Sequence, residues 1–163
     1  LGPSIPRLNG LKHRACDAPR AFLIACGEPA VSAALAAFEA ARFSGLPVER
    51  VLLPGGCWWL AEAASAGRLK RIIASRSAAL DGVSAMISGD SVSEVALLGH
   101  QDCHWITTVL LPQVQVTVRR IGQDLYIARD EILRVAGRAL TVTGHVLIRR
   151  AGAEFTPRQL FPE

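Results

Sequence analysis

Short apolar runs without alternation most constrain how this chain folds. Residues 21–26 (AFLIAC) are apolar throughout, and residues 93–99 (SEVALLG) contain a second run of this kind. A strand with one face in water alternates apolar and polar residues, so a continuous run is typical of a strand covered on both faces of a parallel sheet. Residues 48–53 and 140–150 predict two further strands.

Segments with apolar residues at helical spacing separate these strands, and they cover residues 28–45, 60–88 and 119–137. Pro29 suits the first turn of the first segment, and Gly45 ends it. Residues 106–118 have strand-like composition around Pro112 and predict a loop or an irregular helix start. The alternation predicts an α/β fold, with a largely parallel four-stranded sheet of order 2-1-3-4 flanked by helices.

The chain length indicates one domain preceded by an arm. Residues 1–20 contain prolines, glycines and isolated apolar residues without a period, and they predict an extended N-terminal arm. Residues 21–163 are long enough to form a single α/β domain with its own core. No apolar run approaches the roughly 20 residues of a membrane-spanning helix, and the arm lacks a signal peptide's apolar centre. We expect a cytoplasmic protein with no membrane partner.

The charge balance does not indicate a nucleic-acid partner. The formal net charge is +4, but the arginines are scattered along the chain and no RNA- or DNA-binding motif is present. A solvated basic surface explains this balance more simply, with attraction of small anions as a secondary effect.

Two cysteines and a histidine follow the ends of predicted strands. Cys26 closes the first strand, and His100 and Cys103 follow the third. Ligands of parallel sheets collect beyond the carboxyl ends of the strands, so neighbouring first and third strands bring these side chains together. Two thiolates and an imidazole form a zinc ligand set with a fourth position left for water or substrate. The alternative is a buried thiol at Cys26 and a loop histidine at His100.

Four segments resemble β-class carbonic anhydrases in their order: ACGEPA, LLPGGCWW, LLGHQDC and VTGHVLI, spread over about residues 20–150. The resemblance implies zinc held by Cys26, His100 and Cys103, and reversible hydration of carbon dioxide to bicarbonate or chemistry on a similar small linear substrate. It also implies a homodimer or tetramer in which residues 1–20 lie across a partner subunit.

The chain departs from the family's C-x-D-x-R motif at two positions. Glu28 stands in place of the family's aspartate, which orients the water on zinc, and Ala30 stands in place of the arginine that keeps that aspartate off the metal. A guanidinium then has to come from Arg14, Arg20 or another distant arginine. Without one, we expect Glu28, the predicted catalytic residue, to reach zinc and to make hydration weak or pH-dependent. The alternative is a noncatalytic zinc protein in which Glu28 closes the site.

Several polar residues near these motifs allow two interpretations each. Asp102 either orients a ligand or caps a turn, and His104 either shuttles protons, ligates metal or lies at the surface. Cys57 is either near the site or a buried, inert thiol, and His145 on the last strand is most simply packed or partnered. Three tryptophans either wall the substrate site or pack ordinarily: Trp58, Trp59 and Trp105. Cys16, in the arm, has no assigned chemistry.

Overall fold

A computed structural model describes residues 20–61, 81–83, 87, 92–110, 115–152 and 154–162 of the chain. Its centre is one five-stranded sheet of order β2-β1-β3-β4-β5. The strands are β1 (Arg20–Cys26), β2 (Val48–Leu53), β3 (Val92–His100), β4 (Thr141–Arg149) and β5 (Phe155–Phe161). The first four are parallel to their neighbours, and β5 runs antiparallel to β4.

The α/β class is confirmed, and the predicted sheet is matched in part. The order 2-1-3-4 holds for the first four strands, but the count of four is wrong because β5 extends the sheet and makes it mixed. Strand β5 (FTPRQLF) has only one buried residue and contains Pro157, so it lacks the apolar run that identifies the inner strands. Proline is tolerated there because an edge strand leaves one row of N–H groups unpaired.

In the described part of the chain, two helices of more than ten residues cover the sheet: α1 (Ser32–Arg42) and α2 (Val118–Ala136). The first predicted helix is therefore shorter than residues 28–45, since Glu28 is extended and Pro29–Val31 forms a 3-10 turn. Helix α2 begins where the Thr117 side chain accepts a hydrogen bond from the Arg120 N–H, and it ends at Gly137 in the left-handed region. This helix agrees with the predicted 119–137 to within one residue at each end.

The other predictions fall partly outside the described residues. Of the predicted arm only Arg20 is described, and it begins β1. Of the predicted helix 60–88, Leu60 and Ala61 lie in a turn, residues 81–83 and 87 are helical, and the rest is not described. Trp105–Leu110 forms a π-helix, which agrees with an irregular helical start within residues 106–118.

Both faces of the sheet are buried. On β3, Val95 and Leu97 pack toward α2, whereas Ala96 and Leu98 pack on the side of α1. Burial on both faces explains the absence of alternation in the inner strands. None of the helices in the described part of the chain is both long and apolar enough to cross a bilayer. The polar ends of the inner strands are therefore the places where chemistry is accessible.

Candidate metal centre

The carboxyl ends of β1 and β3 bring four potential metal ligands together. The two strands are parallel neighbours with Ile24 opposite Leu97, so Cys26 and His100 end at the same edge of the sheet. Glu28 and Cys103 follow in the loops after these strands. The ligand atoms of Cys26, Glu28, His100 and Cys103 all lie within 4.8 Å of one another. The three predicted ligands and the predicted catalytic residue thus form one cluster.

Two distances within the cluster match a tetrahedron around a small cation. The Sγ atoms of Cys26 and Cys103 are 3.8 Å apart, and His100 Nε2 lies 3.4 Å from Glu28 Oε2. Tetrahedral zinc binds sulfur at about 2.3 Å and nitrogen or oxygen at about 2.0–2.1 Å, which places ligand atoms about 3.8 and about 3.4 Å apart. The donor set therefore fits a tetrahedral metal ion.

The His100 ring is oriented toward the cluster. Its Nδ1 lies 2.8 Å from the Gln101 carbonyl oxygen, which can only accept, so Nδ1 carries the donated proton. Its Nε2 is buried and has no hydrogen-bond partner in the described part of the chain. A ligating histidine donates its other ring N–H in this way, which leaves the Nε2 lone pair directed at the cluster and available to a cation.

Gln101 is itself held by β4. Its N–H donates to the Leu147 carbonyl at 3.0 Å, and its side-chain oxygen accepts the Arg149 N–H at 2.9 Å. The residue that orients the His100 ring is therefore fixed by two hydrogen bonds to the neighbouring strand.

The thiols of Cys26 and Cys103 have pKa values that are shifted in opposite directions. The Cys103 thiol, the neighbouring His100 ring and backbone N–H groups lower the pKa of Cys26, against the effect of burial. The pKa of Cys103 is raised, because it donates to Cys26 and is buried. Burial would lower the pKa of His100, but the Cys26 sulfur, the Gln101 carbonyl and the charges of Cys26 and Glu28 raise it. A cation entering the cluster therefore displaces protons.

The Glu28 carboxylate points into the cluster. One of its oxygens accepts a hydrogen bond from the His104 N–H at 3.0 Å. Arg20 pairs instead with Glu49 at 2.8 Å, and it begins the strand that Cys26 ends, about 20 Å away in an extended chain. Arg20 therefore does not supply a guanidinium to Glu28, and Arg14 lies outside the described residues. Among the described residues, no arginine forms an ion pair with Glu28.

The glycine pair after β2 packs on the end of β1. Gly55 and Gly56 both have positive φ, at 78° and 60°, and a Cβ on Gly56 would lie 3.0 Å from the Cys26 backbone nitrogen. Glycine is required there because the backbone is left-handed and the approach is close. Cys57 follows, is buried and contacts the Ile24 carbonyl at 3.6 Å. Its pKa is raised by burial, which agrees with an inert, protonated thiol.

The remaining candidates have mostly structural roles. Asp102 is exposed, has a φ of 55° and lies 3.4 Å from Arg149, which indicates a turn residue. The His104 side chain is exposed, and its backbone N–H is the part that reaches Glu28. Trp58 is buried against Cys26 and Cys103. Trp105 is 38% exposed, and the Trp59 side chain lies outside the described residues. His145 is buried in the core, as expected.

Sequence reasoning missed Asp124, a buried carboxylate on α2. It borders a small cavity that Cys26, His100 and Cys103 also line. Burial raises its pKa to about 6, although Arg120 one turn earlier opposes the shift. The available signal was its place beside Ile121 and Leu125, on the apolar stripe of a helix where a carboxylate is unexpected.

No protein-family model and no curated protein matches the chain. The fold and the site define the chain coarsely, as a mixed α/β protein in which two cysteines, a histidine and a glutamate form a cluster that could hold a metal ion.

Proposed function

We propose that the protein binds one zinc ion through Cys26, His100, Cys103 and Glu28, and that it hydrates carbon dioxide reversibly when solvent replaces Glu28. The observation that carries this proposal is the set of four donor atoms within 4.8 Å, two pairs of which have the separations of a tetrahedron. Thiolate together with imidazole favours zinc over magnesium or calcium, which prefer oxygen ligands.

The residues around the cluster suit a small apolar substrate. A zinc ion bound there would lower the pKa of a coordinated water, as in the carbonic anhydrase for which this effect is best known. Hydration then consumes carbon dioxide and water and releases bicarbonate and one proton. Trp58 and Ile106 pack beside the two cysteines and present an apolar surface to carbon dioxide.

Glu28 controls whether such a site is open. Its carboxylate has no guanidinium partner among the described residues, and the His104 N–H holds it beside His100. A carboxylate competes with solvent for the fourth position, and a rising hydroxide concentration favours solvent. We therefore expect hydration that is weak near neutral pH and that increases with pH.

A noncatalytic zinc protein is the second candidate. The same proximity of Glu28 to His100 favours it, since structural zinc sites use four protein ligands and leave none open. The two candidates differ in whether Glu28 is displaced under working conditions.

The test combines zinc content with stopped-flow hydration from about pH 6.5 to 9. The parent is compared with Ala30→Arg, which places a guanidinium near Glu28 at an exposed position. The control is Ala36→Arg, which adds a guanidinium at an exposed position on α1. We expect one zinc per chain in all three and faster hydration at neutral pH only in Ala30→Arg.

Each other outcome has a definite meaning. Protein that takes up no zinc contradicts the metal assignment. Full zinc with no turnover in parent or Ala30→Arg supports the noncatalytic candidate. Fast, pH-independent turnover by the parent contradicts closure by Glu28.

A further inference from the structure

A buried carboxylate without an assigned role borders the cavity beside the candidate metal ligands. The Asp124 side chain is only 10% exposed, and a charge in such surroundings is costly unless it is partnered. The enclosed part of the cavity holds about one water molecule, and with its open mouth it spans about 310 Å³. A small polyatomic ligand would therefore lie mainly in the open mouth, with one of its atoms in the enclosed part.

The other walls of this cavity offer few hydrogen-bonding side chains. Besides the candidate ligands, they consist of glycines, the Cys57 thiol and large apolar side chains, among them Trp58, Ile106, Ile121 and Leu125. Asp124 is the one carboxylate among the residues that line the cavity in the described part of the chain. It therefore supplies a hydrogen-bond acceptor to an otherwise apolar wall.

Arg120 orients the Asp124 carboxylate but occupies only part of the hydrogen-bond acceptor capacity of that carboxylate. Arg120 Nε lies 3.3 Å from Asp124 Oδ1, one helical turn away, and the arginine is the more exposed partner. An ionised carboxylate offers about four acceptor sites on two oxygens, so one contact leaves most of them unused. Because the pair is neutral overall, it presents an acceptor without adding net negative charge to the cavity.

We propose that Asp124 is a specificity-determining residue, which accepts a hydrogen bond from the hydroxyl group of a small planar anion in this cavity. Bicarbonate is the anion of carbonic acid that carries a hydroxyl group. Nitrate has the same charge and planar shape but no hydroxyl hydrogen, so one of its oxygens would face the carboxylate. The choice of bicarbonate rests on the proposed function, whereas the acceptor role rests on the cavity alone.

Binding of sodium bicarbonate and sodium nitrate, measured by calorimetric titration at about pH 8, tests this role without turnover. The protein is used as purified, with its metal content determined alongside. We expect the parent to bind bicarbonate at least about tenfold more tightly than nitrate. A site built to accept a hydrogen bond from a hydroxyl group discriminates against an analogue that has no hydrogen to donate. Asp124→Asn, which has nearly the same shape, should reduce this ratio to about one, because its amide N–H donates to nitrate.

Asp130→Asn is the matched control, because Asp130 lies on the same helix but is 67% exposed. It should leave the ratio unchanged. Where Asp124→Asn fails to fold, Arg120→Gln replaces it, and we expect at least a threefold fall in the ratio as Asp124 loses its orientation.

An unchanged ratio in Asp124→Asn, no preference in the parent, or no binding of either anion overturns the proposal. Selective binding that depends on Asp124 without hydration activity supports it while contradicting the proposed enzyme. Hydration activity together with a bicarbonate-to-nitrate ratio that does not change in Asp124→Asn supports the proposed enzyme and contradicts the role of Asp124.

Discussion

Two buried histidines on neighbouring strands show how position decides what the same side chain can do. Each is 4% exposed, and each follows a glycine, in Gly99-His100 on β3 and Gly144-His145 on β4. His100 ends its strand, its ring is held by the Gln101 carbonyl, and its Nε2 faces Glu28 and two thiols. His145 lies within its strand, where its Nε2 meets the Thr143 hydroxyl at 3.1 Å.

The two imidazoles have opposite electrostatic surroundings. Burial, with a contribution from Arg42, lowers the pKa of His145 to about 4, and its ring packs edge-on against Phe38. Negative neighbours raise the pKa of His100 despite its burial. His145 is thus a neutral core residue, whereas His100 attracts positive charge. Equal burial does not distinguish a ligand from a packed side chain, but an unsatisfied nitrogen among anionic groups does.

The largest expected difference between the histidines is in zinc affinity. Apparent binding of structural zinc is worth about 10–16 kcal/mol over four ligands. Loss of one ligand therefore costs about 2.5–4 kcal/mol, which is a loss of about 70- to 900-fold in affinity. His100→Asn should show this loss in competition titrations with a chelator. His145→Asn should stay within about threefold of the parent. Equal losses in the two variants would mean that neither imidazole ligates the metal and that both act through stability.

Stability toward acid should depend on His145. Its folded-state pKa of about 4 lies below the ordinary 6.5, so the unfolded chain binds more protons between these values, and the free energy of unfolding falls as pH drops through them. The full effect is about 3 kcal/mol. Urea denaturation at about pH 7.5 and about pH 5 should show a smaller loss in His145→Gln than in the parent.

His104→Gln is the control for that measurement, because this side chain is exposed. Asp124, whose pKa is raised to about 6, contributes with the opposite sign, but it is present in every variant and cancels in the comparison. A parent and a His145→Gln variant with the same acid sensitivity would contradict the neutral core assignment.

The glycines before the histidines should separate stability from metal binding. A Cβ on Gly99 would overlap Ile121 Cγ2, and one on Gly144 would overlap the Phe161 ring. Each alanine variant should lose about 1–3 kcal/mol of stability through overpacking. Only Gly99→Ala should also weaken zinc binding, because it displaces the strand end that carries His100. Gly82→Ala, whose new methyl would meet no atom of the described residues within 4 Å, is the control for thermal unfolding.

The proximity of the candidate ligands could be predicted from the sequence because strand ends alone decide where they lie. Cys26, His100 and Cys103 follow buried apolar runs, and parallel pairing of these strands brings them together. Strand β5 and Asp124 carry no such signal. An exposed edge strand resembles a loop, and a carboxylate on a helix normally faces water. The partner of Arg20 depends on how β1 and β2 pair, which composition and spacing do not encode.

The smallest expected effect concerns Asp102, which lies between the candidate ligands His100 and Cys103 in the sequence. Its ion pair with Arg149 is exposed, so Asp102→Asn should change stability by less than about 0.5 kcal/mol and leave zinc affinity unchanged. Asparagine tolerates the left-handed backbone of this residue nearly as well as aspartate. A large loss of zinc in this variant would show that the carboxylate orients a ligand, which its exposure argues against.

Gln101 couples the cluster mechanically to the last hairpin of the chain. Because it holds the His100 ring and is itself held by the backbone of β4, which β5 borders, a cation that immobilises the ring also restrains that strand. Amide hydrogen exchange at Gln101 and Arg149 should therefore slow when zinc is added, whereas amides of α1 should not respond. Cleavage between β4 and β5 should loosen the imidazole without touching any ligand.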